Sequence, residues 1–296
     1  MSLADDVKAP VRHAGRFFIG GHWVQPSSDA AIKVIDPATE ELFFSVAEAQ
    51  AADISRAVEA AREAFDSGPW PRLTHAERAE YLRAIGRELG GRSEDIGQIW
   101  PRESGVLHAI ARFGGAGAQA TFNAFADLAG TFAFEEPAKP TAGEFGLIVR
   151  EPVGVVGAII PWNAPMGLIS NKVAPALLAG CTVILKSSPE APGEGYLIAE
   201  AAEAVGLPPG VLNVVTADRE VSELLVRDPR VDKITFTGST GAGRRIASIC
   251  GERIAPAPWS WAASPPPWSW TTWTSTPPRP RWPGPSACWP ARSARR

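Results

Sequence analysis

Three stretches of this 296-residue chain hold residues able to do chemistry at a strand end. The first is PWNAP (161–165), where two prolines fix a rigid turn around Asn163. The Asn163 amide can donate a hydrogen bond to a developing oxyanion, or it can simply cap the helix that follows. The second is VILKSSPEAP (183–192), which sets Lys186 at the end of an apolar run. A lysine there reaches a ribose or a phosphate if it faces a ligand; otherwise it is an ordinary solvated charge. The third is FTGSTGAG (236–243), whose glycines let the backbone approach a ligand and whose following helix offers N–H groups to a phosphate. A plain tight turn is the alternative. The three cysteines, Cys181, Cys250 and Cys288, are too few and too scattered for a disulfide framework or a zinc site. Cys181 begins a buried strand and Cys250 falls on the core face of a helix, so both read as inert packing thiols.

Alternating strands and helices must position these stretches. GVVGAII (154–160), CTVILK (181–186), VLNVV (211–215) and DKITFT (232–237) are short apolar runs of the kind buried on both faces of a parallel sheet. Helical spacing predicts helices over Met166–Ala179, Gly193–Val205, Val221–Arg227 and from Ala242 to Cys250. That alternation specifies an α/β fold with helices on both faces of the sheet. Upstream, 17–24 and 32–39 read as short strands, and 144–151 as another. Helices are expected over Ala52–Phe65 and His75–Leu89, and from Ser93, taken as an N-cap, to Trp100. A further helix at Ala116–Phe132 is expected to be largely buried.

Bulk properties narrow the function. The net charge is −3, and setting aside five arginines after residue 255 takes it to about −8. A mildly acidic body argues against a nucleic-acid partner. The N-terminal MSLADDVKAPVRHAGR has acids and no apolar core, unlike a secretory signal. No apolar run approaches the ~20 residues of a membrane span. These features point to a reduced, cytoplasmic protein.

Taken together, PWN, then LK with a nearby SPE, then PPGVLNVV, then FTGST resemble the aldehyde dehydrogenase superfamily in order and spacing. The segments WV…DPATEE and EAAREAFDSGPW resemble that family's N-terminal region. The resemblance covers about Phe17 to Ala255. It implies a partial aldehyde-dehydrogenase-like fold, with a Rossmann-type sheet for NAD or NADP and a small-molecule aldehyde as substrate. It implies a cysteine nucleophile that attacks the aldehyde, hydride passing to the cofactor, and water releasing the acid. By motif, Asn163 is the oxyanion donor, Ile160 and Trp162 line the nicotinamide side, and Lys186 contacts the adenosine ribose. Gly238 and Ser239 lie at the pyrophosphate. The glutamate that the family often carries three residues after the lysine is replaced by Pro189, with Glu190 one residue later, so the choice between NAD and NADP stays open. The implied organisation is a mobile N-terminus (1–15), a helix and strand region of the cofactor domain (16–151), a Rossmann-type βαβ core (152–255) and an aberrant tail (256–296). Family members form homo-oligomers, using segments that include parts beyond residue 255.

The tail departs from everything before it. It holds seven of the eleven tryptophans and eleven of the twenty-eight prolines, and no Ile, Leu, Val, Met, Phe, Tyr, Lys, Asp or Glu. Such a composition cannot bury a core and is expected to be disordered. PPPW and TPPRPR have the makings of a polyproline II recognition segment. A different reading follows from the genetic code. If each original codon took the third base of one present codon and the first two of the next, Trp261–Ala262 is forced to glycine. Trp270–Thr271 and Trp273–Thr274 are each forced to aspartate. The remaining pairs permit LELGGKSPAVVLDDMDID from Pro258 onward and AGQVCSS from Trp289 onward. These match the family's continuation, including its general-base glutamate and nucleophilic cysteine. The expectation is a one-base change of frame near Ile254–Pro258. The chain as written then lacks both catalytic groups and is an inactive fragment with residual nucleotide binding.

Overall fold

The computed structural model describes residues 9–261, the last three by their backbone alone. Two antiparallel pairs come first: β1 (Phe17–Ile19) with β2 (His22–Val24), and β3 (Ala31–Ile35) with β4 (Leu42–Ala47). Helices α1 (Ala51–Asp66), α2 (His75–Gly91), α3 (Ser93–Ser104), α4 (His108–Ala111) and α5 (Gly114–Thr131) follow, with a 3-10 turn at Trp70–Arg72. Strands β5 (Glu135–Ala138) and β6 (Gly146–Val149) form a hairpin. Then β7 (Val155–Ile159), α6 (Pro165–Leu178), β8 (Thr182–Ser187), α7 (Gly193–Ala204), β9 (Leu212–Thr216), α8 (Arg219–Arg227), β10 (Lys233–Gly238), α9 (Thr240–Glu252) and β11 (Trp259–Trp261) alternate.

The described chain divides into two compact units, of which the smaller is Ala133–Glu151. That unit is the β5–β6 hairpin, in which Glu135 faces Val149 and Ala138 faces Gly146. The Arg150 guanidinium pairs with Glu136 and donates to Ala133 O at 2.6 Å.

The larger unit is built on one sheet in the order β11-β10-β7-β8-β9-β1-β2. The five strands from β11 to β9 run parallel, as the apolar runs predict. The 17–24 segment alters the expected all-parallel sheet: β1 pairs antiparallel with β9, Phe18 opposite Val214, and makes the sheet mixed. It is also two strands rather than one, because Gly20 and Gly21 take φ of 62° and 80° and turn the chain back.

All residues of β7, β8 and β9 are buried. Helices α1, α8 and α9 cover one face, where Ile54, Val58, Leu225, Ile234, Ile246 and Cys250 join the core. Helices α6 and α7 cover the other, backed by α2, α3 and α5. Gly154 opens β7 at φ 121°, and a Cβ there would lie 1.9 Å from Asp232 Oδ2. That oxygen accepts the Val155 N–H at 2.7 Å and the Arg62 guanidinium at 2.8 Å, while Asp232 N–H donates to Val155 O at 2.9 Å. The amino ends of β7 and β10 are thereby bound together.

Several local expectations change. The segment 1–15 is expected to be mobile; its described part, 9–15, is packed, with Ala9, Val11 and Ala14 buried and the Arg12 N–H donating to Glu200 at 2.7 Å. Ser93 is the first residue of α3 rather than its N-cap; Arg92 holds the cap position, and the Ser93 hydroxyl donates back to Gly90 O at 2.9 Å. Helix α5 is buried only along Gly115, Ala118, Phe122 and Ala126, a single stripe at helical spacing against α2 and α6. Its aromatic and aliphatic content misleads, because Leu128 and the flanking Phe113 and Phe132 are exposed. Helix α4 and the strands β4 and β5 carry no clear periodic signal. The tail is expected to be disordered from residue 256, yet Trp259–Trp261 form β11 in parallel with β10; the tail expectations beyond residue 261, Cys288 included, lie outside the described residues.

Two buried glutamates tie the helices of the second face together. The Glu103 carboxylate, on α3, accepts the Gly193 N–H at the start of α7 at 2.7 Å. The Glu194 carboxylate, on α7, accepts the Met166 N–H at the start of α6. Each is thus a helix N-cap supplied by another helix. Both are buried, and one oxygen of each has no hydrogen-bond partner among the described residues. Burial raises both carboxyls. Glu103 goes well above the ordinary 4.5, with the Gly193 N–H opposing and Glu194 reinforcing; Glu194 goes to about 8, with the Met166 N–H opposing. A carboxyl raised on folding stabilises the fold below its unfolded pKa, and that contribution is lost as pH rises from about 4.5 to about 8. The α6 dipole offsets only part of this, since its pull on a terminal carboxylate is at most ~2 kcal/mol. Glu194→Gln keeps the acceptor and removes the ionisation. Thermal melts are expected to show equal midpoints for parent and variant at about pH 5 and a higher midpoint for the variant at about pH 8.5. A variant that is less stable at the upper pH would show that the carboxylate's charge, not its burial, dominates.

Candidate nucleotide-binding crevice

The order of connections creates the site. From β7 the chain winds outward to β8 and β9, then crosses back to place β10 on the other side of β7. Helix α6 leaves β7 on one face of the sheet and α9 leaves β10 on the opposite face. Their diverging starts leave a crevice at the carboxyl ends of β7 and β10, where open parallel sheets bind ligands.

The register brings the sequence-identified residues to this end. Ile159 is paired with Lys186 on one side and with Phe236 on the other. Ile160 is buried, and its N–H donates to Lys186 O at 3.3 Å. The 161–165 turn follows directly, with Trp162 and Asn163 exposed. The Asn163 side chain makes no hydrogen bond among the described residues. It is not the cap of α6, because Ala164 occupies that position and Glu194 binds the Met166 N–H. Gly238 ends β10, and Ser239 caps α9, its hydroxyl accepting the Ala242 N–H at 3.3 Å. Gly241, in the first turn of α9, has open space where a Cβ would be, and that turn holds no acidic side chain.

Lys186 is 6% exposed, which removes the reading of a solvated lysine. Burial pulls its ammonium down to about 8, while Glu190 and Asp218 act to hold the proton on. No hydrogen-bond partner of its Nζ is found among the described residues. Glu190 is exposed and accepts the Ser188 hydroxyl, so it stands at the rim of the crevice rather than beneath it.

Three further contributors were not identified from sequence. Lys172 is the single charged residue of α6, and that isolation was the available signal. Its Nζ donates to Thr235 Oγ1 in the middle of β10 at 3.0 Å, tying α6 to that strand, and burial lowers it to about 8. Trp100 and Ser104 of α3 bind the 161–165 turn from behind. Trp100 Nε1–H donates to Asn163 O at 3.1 Å and the Ser104 hydroxyl to Trp162 O at 2.6 Å. Cys181 and Cys250 are buried free thiols, each raised by burial. Among the described residues no group of three metal-ligating side chains is found, and no helix is long and apolar enough to cross a membrane.

Of the two helix N-termini at the crevice, α6 has its Met166 N–H taken by a buried carboxyl from another helix, whereas α9 is capped only by its own Ser239 at Ala242 N–H, leaving the Thr240 and Gly241 N–H groups open. An extended anionic ligand with its phosphates at α9 and a sugar near Lys186 fits this donor set. Both described thiols, Cys181 and Cys250, are packed away from this donor set.

Comparison with known proteins agrees. Residues 23–259 match the model of the aldehyde dehydrogenase family. The chain is 40% identical over 240 residues to geranial dehydrogenase of Castellaniella defragrans, covering 81% of this chain and 50% of that protein. It is 38% identical over 246 residues to betaine aldehyde dehydrogenase 1 of Oryza sativa, covering 81% and 49%. Its fold is similar to that of a Mycobacterium tuberculosis aldehyde dehydrogenase complexed with NAD+, with a TM-score of 0.80 at 40% identity, over 83% of this chain and 51% of that one. It is similar also to a Pseudomonas syringae aldehyde dehydrogenase variant complexed with NAD+ and octanal, with a TM-score of 0.80 at 35% identity, over 86% and 52%. The chain spans about half the length of the relatives it matches, and it belongs to the aldehyde dehydrogenase family.

Proposed function

We propose that this chain is the nucleotide-binding half of an NAD-dependent aldehyde-oxidising enzyme, able to hold the dinucleotide and unable to turn over an aldehyde. The observation that carries the reading is the donor set at the β7/β10 crevice: the Thr240 and Gly241 N–H groups that the Ser239 cap leaves open at the start of α9, a buried Lys186 and an exposed Asn163 amide. The α9 N–H groups and the Gly238–Ser239 backbone bind the pyrophosphate. Lys186 hydrogen-bonds the adenosine ribose, and Glu190, at the rim, takes the remaining hydroxyls. Ile160 and Trp162 flank the nicotinamide and Asn163 is set to donate to a substrate oxygen. The dinucleotide supplies the hydride acceptor, and NADP+ is the second candidate because Pro189 replaces the usual ribose-binding glutamate.

The chemical step fails for want of groups. Neither described thiol is accessible, and the chain carries Trp259-Ser260-Trp261 where the family carries its general-base segment. The family match stops at residue 259 while the chain runs on for 37 more residues of unrelated composition. Strand β11 supports the frame-change reading. Its Ser260 is level with Thr237 at the carboxyl end of β10, and the alternate frame writes Leu-Glu-Leu across these codons, a glutamate beside the crevice. A polypeptide with that frame restored is expected to oxidise a small aldehyde.

Calorimetric titration of the chain with NAD+ is expected to show saturable binding, about ten-fold weaker in Lys186→Gln, the loss of one buried charge-assisted hydrogen bond. Adding an aldehyde is expected to give no reduced cofactor. Absence of NAD+ binding rejects the nucleotide reading, and steady turnover rejects the claim of inactivity. The gene offers an independent check: its nucleotides across codons 258–264 are expected to encode LELGGK in the adjacent frame, and any other content there removes the frame-change explanation.

A further inference from the structure

The 161–165 turn carries the exposed Asn163 and Trp162, yet its prolines give it little hydrogen bonding of its own. Proline at both ends leaves N–H groups only at residues 162, 163 and 164, and none of them is bonded to a backbone carbonyl. A turn this poor in internal bonds must be oriented from outside. Helix α3 supplies that. Trp100 and Ser104 lie four residues apart, on one face of the helix, and they take the consecutive carbonyls of Asn163 and Trp162 at 3.1 and 2.6 Å. The same helix reaches α7 through Glu103, and α7 returns to α6 through Glu194. The turn is therefore tied to α3 at residues 162 and 163 and runs into an α6 that α7 holds at Met166, so α3, α7 and α6 close a circuit around it. Ser104 can serve because α3 stops immediately after it. Gly105 takes φ of 69° and closes the helix on Pro101 O at 2.8 Å, leaving Ser104 in the last turn facing the loop.

We infer that Trp100 and Ser104 are positioning residues for the Asn163 turn: by fixing the two carbonyls on the α3 side, they set the direction in which the turn presents the Asn163 amide and the Trp162 ring to the crevice. The inference rests on the nucleotide-crevice reading above for its consequence, and on the two hydrogen bonds alone for its geometry. Both bonds lie near solvent, so their loss loosens the turn without unfolding the domain.

Three variants of the full chain test this: Trp100→Phe, which removes the indole N–H and keeps a ring; Ser104→Ala; and Ser104→Thr, which keeps a hydroxyl. Leu168 N–H, bonded to Ala164 O at 3.1 Å, reports the state of the turn at the start of α6. Hydrogen exchange over residues 166–170 is expected to quicken about three- to ten-fold in Trp100→Phe and Ser104→Ala, as follows from losing about 0.5–1.5 kcal/mol of local bonding. NAD+ affinity is expected to fall about three-fold in both, with thermal midpoints within about 2 °C of the parent. Ser104→Thr is expected to restore both exchange and affinity. Unchanged exchange in both deletion variants overturns the inference, and so does weakened binding with unchanged exchange. If Trp100→Phe misfolds, the Ser104→Ala and Ser104→Thr pair decides the matter alone. A parent chain that binds no NAD+ rejects the nucleotide reading, and the exchange rates still decide whether α3 holds the turn.

Discussion

A strand covered by helices on both faces has no place for a polar side chain except at its ends. Strand β7 lives under that constraint: every residue from Val155 to Ile159 is buried, and the strand lies between β10 and β8 at the centre of the parallel sheet. All of its polar chemistry is displaced to the turn that leaves it. Lys186 near the end of β8, Thr237 near the end of β10 and the glycine-rich turn also gather at the carboxyl edge, while Thr235 inside β10 is satisfied by Lys172. The crevice is what remains when apolar strands push their functional groups to one side and the order of connections parts the helices above them.

The helix amino ends then divide the labour. An uncapped helix start attracts anions, and two such starts so close together would compete for one ligand. Glu194 removes α6 from that competition by binding the Met166 N–H, and Glu103 does the same for α7. Both carboxyls are buried at a cost that their raised protonation records. What is gained is an α6 whose first turn is held by protein, while at α9 the Ser239 hydroxyl takes only the Ala242 N–H. A helix that begins in a fixed place gives the preceding turn a fixed place too.

The sequence was informative where burial is two-sided and local. The runs 154–160, 181–186, 211–215 and 232–237 are apolar because both faces of each strand are covered, and the observed strands fall within a residue or two of them. PWNAP and FTGSTGAG were legible because prolines and glycines constrain the backbone wherever they occur. The setting of Lys186 was not, since its burial follows from a register with Val215 and its electrostatics include Asp218, both some thirty residues later. Nor were Glu103, Glu194, Trp100 and Ser104: each acts on a backbone group of a distant element, and a side chain bonded to remote backbone leaves no periodic trace. The burial of α5 was overcalled for a related reason. Its small and aromatic residues look like core all round, but only one stripe meets a partner in this chain. The 17–24 strands were seen, while their antiparallel attachment to β9 is a tertiary choice that period-two spacing cannot express.

One feature at the far side of the sheet bears on how the crevice works as a machine. Asp232 joins the amino ends of β7 and β10 through its backbone, its carboxylate and Arg62, at a point where Gly154 leaves room for it. The carboxyl ends of the same two strands part into the 161–165 turn and the α9 turn. The pair behaves like a clothes-peg riveted at its spring end. The strands stay paired up to Ile159 and Phe236, so the places from which the two turns depart are fixed by the protein's own bonds.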